Sequence, residues 1–234
     1  MKEFVYGQHR FKYEFIRQER KTLSLTVRPD MGIVLKCPLH ADENRINLFL
    51  KQKWKWLNKQ LEFFRKFQKN IYKKEYISGE SFMYLGRQYQ LIVKSDKKNK
   101  VLLTKGKLLL YTRKRDNAKH NKELLYDWYR EKSKDRFQRM LETSYQRLKK
   151  YEFNEPKLKV KTMKSRWGSC SARKETVTLN TELVKAPSHC IEYVIMHELC
   201  HMKHPNHTKS FYDFLALVMP DWIERKKRLE KAVL

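Results

Sequence analysis

The chain has 234 residues, 41% of them hydrophobic and 13% aromatic, and a formal net charge of +27. That composition supports a packed globular fold and excludes disordered, collagen-like and linker-like chains. No run of about 18 apolar residues is present and "MKEFVYGQHRFKYEF" has no apolar core of signal-peptide length, so a soluble, cytoplasmic protein without a membrane span is expected.

Residues 3–36 read as strands. In "TLSLTVRPDMGIVLKCP", Leu23, Leu25 and Val27 alternate before the turn "PDMG", and Ile33 and Leu35 alternate after it, which predicts a hairpin. Residues 41–69 read as a helix that Asp42 can cap. Ile46, Phe49, Leu50, Trp54, Leu57, Leu61 and Phe64 form its apolar stripe. Trp54 and Trp56 also admit a base-stacking reading, but Trp54 sits on the stripe and reads as core. Residues 76–112 return to strands, with the Lys-rich turn "KSDKKNK" and a further hairpin at "TKGK". A second long helix is predicted over 117–150, its apolar face carried by Leu124, Leu125, Trp128, Phe137, Met140, Leu141 and Tyr145. The polar stretch "RKRDNAKHN" marks a domain junction, giving parts 1–116 and 117–234. No internal repeat is legible. "RWGSC", "SARKET" and "VTLN" then read as strand, turn and strand. A helix opens at Pro187 and Ser188, runs to about Met202 and is stopped by Pro205. A last amphipathic helix starts near Thr208 with Phe211, Phe214, Leu215 and Val218, and the tail "IERKKRLEKAVL" reads as helical too.

The stretch "YVIMHELCHMKHPNH" carries the chemistry. His197, Glu198 and His201 form H-E-x-x-H. On a helix, residues four apart share one face at about 6 Å, so both imidazoles can grip one Zn²⁺. Glu198 is rotated roughly 100° from His197 and can reach water at the metal without ligating it, which suits a general base. Two histidines follow as candidate third ligands. Pro205 disfavours helix at His204, whereas the "HPN" turn can swing His207 back, so His207 is preferred. Three protein ligands leave a position open, as in catalytic zinc sites. Cys37, Cys170, Cys190 and Cys200 contain no C-x-x-C pair and read as reduced thiols.

"HELCHMKHPNHTKSF" followed by "MPDW", with "RWGSC" upstream, resembles the YgjP-like metallopeptidase family, related to the WLM and SprT-type zinc peptidases. The hairpin "RKTLSLTVRPDMGIVLKCP" resembles that family's N-terminal strands, and residues 156–222 its catalytic part. The resemblance implies His197, His201 and His207 as zinc ligands and Glu198 as base. It also gives "KSRWGSC" a role as the strand beside the active-site helix, along which an extended peptide can add. Arg166 there could bind a carboxylate, a phosphate or the developing oxyanion, or could pair with a nearby acid. Trp167 could wall the cleft or sit in the core, and Gly168 would let another backbone approach closely. The same His spacing occurs in metzincins, but their intervening Gly is His204 here.

The fold expected is α+β: a zincin-like catalytic part with the H-E-x-x-H helix and a small sheet, preceded by a β-rich N-terminal part with a long helix. The leading function is zinc-dependent hydrolysis of peptide bonds in a peptide or protein substrate. The basic charge admits two rivals: a metal-dependent phosphohydrolase acting on nucleotides or nucleic acid, and a non-enzymatic nucleic-acid-associated protein. Lysines spread along the chain also fit a plain solvated surface. Substrate identity and oligomeric state are not legible.

Overall fold

The computed structural model describes residues 1–7, 9–28, 31–67, 74–163 and 166–232. The chain divides into two compact units, residues 1–73 and 74–233.

The first unit opens with β1 (Lys2–Tyr6) and β2 (His9–Gln18), followed by β3 (Ser24–Val27) and β4 (Ile33–Pro38). The strand order is β1-β2-β4-β3, with a parallel β2–β4 pair between two antiparallel pairs. The predicted hairpin is β3–β4, although Pro29 and Asp30 of its turn lie outside the described residues. Helix α1 (Glu43–Phe67) follows, with Asp42 accepting from the Arg45 amide at 3.3 Å as its cap. Its buried stripe of Ile46, Leu50, Leu57 and Leu61 meets Phe4, Tyr13, Ile33, Leu35 and Cys37 of the sheet. Trp54 is half-buried rather than core, its ring 4.8 Å from Phe11, 4.9 Å from His9 and 5.4 Å from Tyr6. The side chain of Phe64 lies outside the described residues.

The second unit begins with the same topology. β5 (Ser81–Tyr84), β6 (Arg87–Ser95), β7 (Lys100–Thr104) and β8 (Lys107–Thr112) run in the order β5-β6-β8-β7, again with a parallel central pair. Helix α2 (Ala118–Leu148) follows, capped by Asn117 accepting from the His120 amide at 3.0 Å. Each unit therefore holds two hairpins and a long helix, a repeat the residues themselves do not show. Hairpin and helix are specified by alternation, turns and periodicity, which very different residues can satisfy.

A second sheet is built from β9 (Lys157–Lys161), β10 (Gly168–Ser171) and β11 (Thr176–Asn180), in the order β10-β11-β9. Every residue of the central strand β11 is buried. A short 3₁₀ segment (Thr181–Lys185) leads to helices α3 (Ser188–Cys200), α4 (Lys209–Val218) and α5 (Trp222–Ala232). The architecture is mixed α+β, with three small sheets and five α-helices among the described residues. No described helix is long and apolar enough to cross a membrane.

The junction expected between residues 116 and 117 falls inside the second unit. Leu91, Leu108 and Leu110 of the β5–β8 sheet share one core with Leu125, Trp128, Leu179 and Ile195. The polar stretch read as a linker is pinned rather than free, because the buried Asn121 amide donates to the carbonyls of Arg115 and Tyr76 at 2.8 and 3.2 Å. The β5–β6 turn is also bound to the 3₁₀ segment, with the amides of Leu85 and Gly86 donating to Val184 and Lys185 at 2.9 and 3.0 Å.

Candidate active site

Helix α3 is held from both ends. Ile191, Ile195 and Leu199 are fully buried along its core face. At its start, Pro187 packs against Gly86, which stands at φ 77° in the β5–β6 turn. A Cβ added at Gly86 would lie 2.7 Å from the Pro187 ring, so the contact needs glycine for space as well as conformation. At its end, α3 stops at Cys200, one turn fraction earlier than the expected Met202, and His201 is the C-cap.

The turn after α3 returns the chain to the helix. The Nε2 atom of His207 lies 2.9 Å from Nε2 of His197 and 3.1 Å from Nε2 of His201. Three nitrogens on one tetrahedral zinc at about 2.0–2.1 Å lie roughly 3.3 Å apart, so this spacing fits a metal ion. The Nδ1 of His201 contacts the His204 carbonyl at 3.0 Å. A carbonyl only accepts, so Nδ1 carries the proton and Nε2 presents its lone pair to the centre. His204 thus serves through its backbone, while its ring packs on Phe214 at 5.3 Å. Burial first, then His201, His207 and Lys226, push His197 down to about 3. Burial, His201 and Lys226 also lower His207. Both favour the neutral imidazole, which is the ligating form.

Beneath the cluster lies Phe211 of α4, fully buried, with its ring 4.9, 4.5 and 4.8 Å from those of His197, His201 and His207. The sequence marked Phe211 only as part of an apolar face. Its place fourteen residues after His197 carries no local signal of contact with all three rings.

Glu198 is 6% exposed, and burial raises its carboxyl to about 7 against the lowering influence of Arg166. Strand β10 presses on it. A Cβ at Gly168 would lie 2.7 Å from Glu198 Oε1 and 2.8 Å from its Cγ. The close approach expected at Gly168 is therefore to the Glu198 side chain.

Strand β10 begins only at Gly168, so Arg166 and Trp167 precede it; Lys164 and Ser165 lie outside the described residues. Arg166 is exposed and makes no ion pair among the described residues, whereas Trp167 is half-buried against the core. Buried Asn180 holds this segment: its Nδ2 donates to the carbonyls of Met163 and Arg166 at 2.8 and 3.0 Å, and its amide donates to the Trp167 carbonyl at 2.8 Å. Cys170 borders the cleft with Sγ 3.3 Å from Met202 Sδ, and burial with nearby Glu198 pushes its thiol up to about 12. All four cysteines are free, and the environment of Cys170 favours the thiol over the thiolate.

These groups line one cleft of about 580 Å³, walled by Arg166 to Cys170, by Tyr193, His197 and Glu198 of α3 and its cap His201, by His207, and by Lys226, Leu229 and Glu230 of α5. Tyr193 stands one helical turn before His197 and was within reach of helical spacing. The share taken by α5 was not.

Residues 21–232 match the family described as YgjP-like, metallopeptidase domain. The chain belongs to the YgjP-like family. The match takes in every residue of the cleft, and the His197–His201–His207 donor set is one that can hold a metal ion, as a YgjP-like metallopeptidase domain requires. Among solved structures, the metallopeptidase zymogen jannalysin of Methanocaldococcus jannaschii aligns with this YgjP-like chain at 23% identity and a TM-score of 0.34, covering 43% of this chain and 96% of jannalysin. No curated protein matches.

Proposed function

We propose that this chain is a zinc-dependent peptidase in which His197, His201 and His207 hold the metal and Glu198 is the general base. The observation that carries the reading is the convergence of three imidazole Nε2 atoms beside a buried carboxylate that is not part of the cluster. When bound there, zinc would polarise a carbonyl and acidify water. The residues supply the rest. Glu198 takes the proton of the attacking water and passes it to the leaving amine, and a carboxyl poised near 7 is suited to both transfers. Gly168 leaves Glu198 the space it occupies. Arg166 offers a guanidinium to the negative charge that develops on the substrate oxygen. Strand β10 pairs with β11 on one edge only, and an extended peptide laid along the other would run past the histidines.

Elemental analysis of the purified protein tests the ligand set. About one zinc per chain is expected, lost in His197→Ala and His201→Ala, strongly weakened in His207→Ala and nearly intact in His204→Ala. Absence of any transition metal, or full occupancy in both His197→Ala and His201→Ala, overturns it. The phosphohydrolase reading retains one support, the net charge of +27 with Arg166 and Lys226 at the cleft. Phosphate release from a nucleotide panel without peptide cleavage would replace the peptidase with it.

A further inference from the structure

Helix α5, a mere tail in the sequence, forms one wall of the cleft. Leu229 is buried and anchors it, while Lys226, about one turn before, and Glu230, the next residue, stand at the cleft surface. The arginines of α5 are already paired: Arg225 with Asp221 at 2.8 Å and with Glu192, and Arg228 with Glu224 at 3.0 Å. Lys226 is exposed and makes no ion pair among the described residues, although it borders the same cleft as the three histidines.

The charges of the cleft then count in one direction. Arg166 and Lys226 are its cations, and Glu198 and Glu230 its anions. Glu198 is committed by its burial against Gly168, and Glu230 exerts its charge on the Tyr193 phenol. A divalent ion on the histidines would make the whole surface net positive, with Lys226, which makes no ion pair among the described residues, on the α5 wall. Opposite charge in such a confined site attracts anionic groups of the substrate.

We infer that Lys226 is a specificity-determining residue that binds a substrate carboxylate close to the scissile bond. The inference rests on the peptidase reading. The carboxylate has two sources in a peptide, an Asp or Glu side chain and the free C-terminus, and the test separates them.

The test measures binding, so that it does not depend on turnover. Zinc-loaded Glu198→Gln protein is titrated with labelled peptides followed by fluorescence anisotropy. The peptides carry an internal Asp or Glu with an amidated end, neutral residues with a free end, or neutral residues with an amidated end. Lys226→Ala should weaken the carboxylate-bearing peptides by roughly twofold to fivefold, the range of an exposed ion pair, and leave the neutral amide unchanged. Lys226→Arg should restore binding, and Lys226→Glu should shift preference to peptides bearing Lys or Arg. Loss confined to the free-end set assigns the terminal carboxylate; loss confined to the Asp and Glu set assigns the side chain. Equal effects on neutral and acidic peptides, or none on either, overturn the inference, provided melting temperature and zinc content match the parent. Cleavage of neutral peptides by the wild type, with no change of preference in Lys226→Ala, removes the inference and leaves the peptidase. Carboxylate-dependent binding with no cleavage of any peptide by the wild type overturns the peptidase reading and, with it, a role for Lys226 beside a scissile bond.

Discussion

Phe211 shapes the candidate centre without donating to it. Its flat ring touches all three imidazoles, and its complete burial fixes it in place. Phe211→Leu keeps an apolar side chain of similar volume and should cost less than about 1.5 kcal/mol of stability. It should nevertheless weaken zinc binding by about tenfold or more, the scale seen when groups that orient ligands are removed. Competition with a chelator reads the affinity, and an unchanged value would show that the histidines are held by the backbone alone. Gly168 bounds Glu198, the proposed base. In Gly168→Ala, the new methyl meets Glu198 Oε1 at 2.7 Å, so the carboxylate must move. A displacement of about 1 Å can cost roughly 100-fold in rate, so kcat should fall by that order while zinc content stays at the wild-type level.

Asn180 ties the end of β11 to the segment that carries Arg166 and Trp167. It also accepts from the Glu182 amide at 3.2 Å, starting the 3₁₀ turn. Asn180→Ala removes the partner of the Met163 and Arg166 carbonyls and of the Met163 and Glu182 amides, all partly buried bonds, and should destabilise the chain by about 1–3 kcal/mol. Hydrogen exchange should rise at Arg166 and Trp167 before it rises in α3; uniform exchange would deny this link. None of this is visible in "VTLN", where Asn180 reads only as the end of a strand.

At the same scale, local periodicity located most elements. The helix read over 117–150 is α2 (Ala118–Leu148), and that read over 41–69 is α1 (Glu43–Phe67), because long apolar stripes carry an unambiguous signal. Pairing was less legible. "KSDKKNK" joins β6 to β7, yet β6 pairs with β8, and β7 takes the edge. Strand order depends on which apolar faces meet, and that is not written in any one strand. The stretch read as a junction near residue 116 lies within the second compact unit for a related reason. A polar stretch resembles a linker unless one knows that Asn117 caps a helix and Asn121 bonds into a core. His197, Glu198, His201 and His207 were nameable because H-E-x-x-H with a further histidine is a pattern of fixed residue types at fixed spacing. Phe211 and α5 were not, since packing partners carry no such code.

Every residue lining the cleft lies between 166 and 230, within the second unit, whose core is its own. A fragment of residues 74–234 should therefore fold alone and bind zinc with the affinity of the full chain. Calorimetric titration of both proteins checks this, and a fragment that is folded yet fails to bind would assign the first unit a part in the site. For the whole protein, the central claim is that a metal-dependent peptidase works through Glu198. The measurement that bears on it most directly is mass-spectrometric mapping of peptide-library cleavage by zinc-loaded wild-type protein and by zinc-loaded Glu198→Gln. The variant keeps the side chain's size and removes the basic oxygen, so it should retain its metal and lose cleavage by roughly 10²–10⁴-fold. Cleavage by the variant at the wild-type rate, or no peptide cleaved by wild-type protein carrying a full complement of zinc, would contradict the claim.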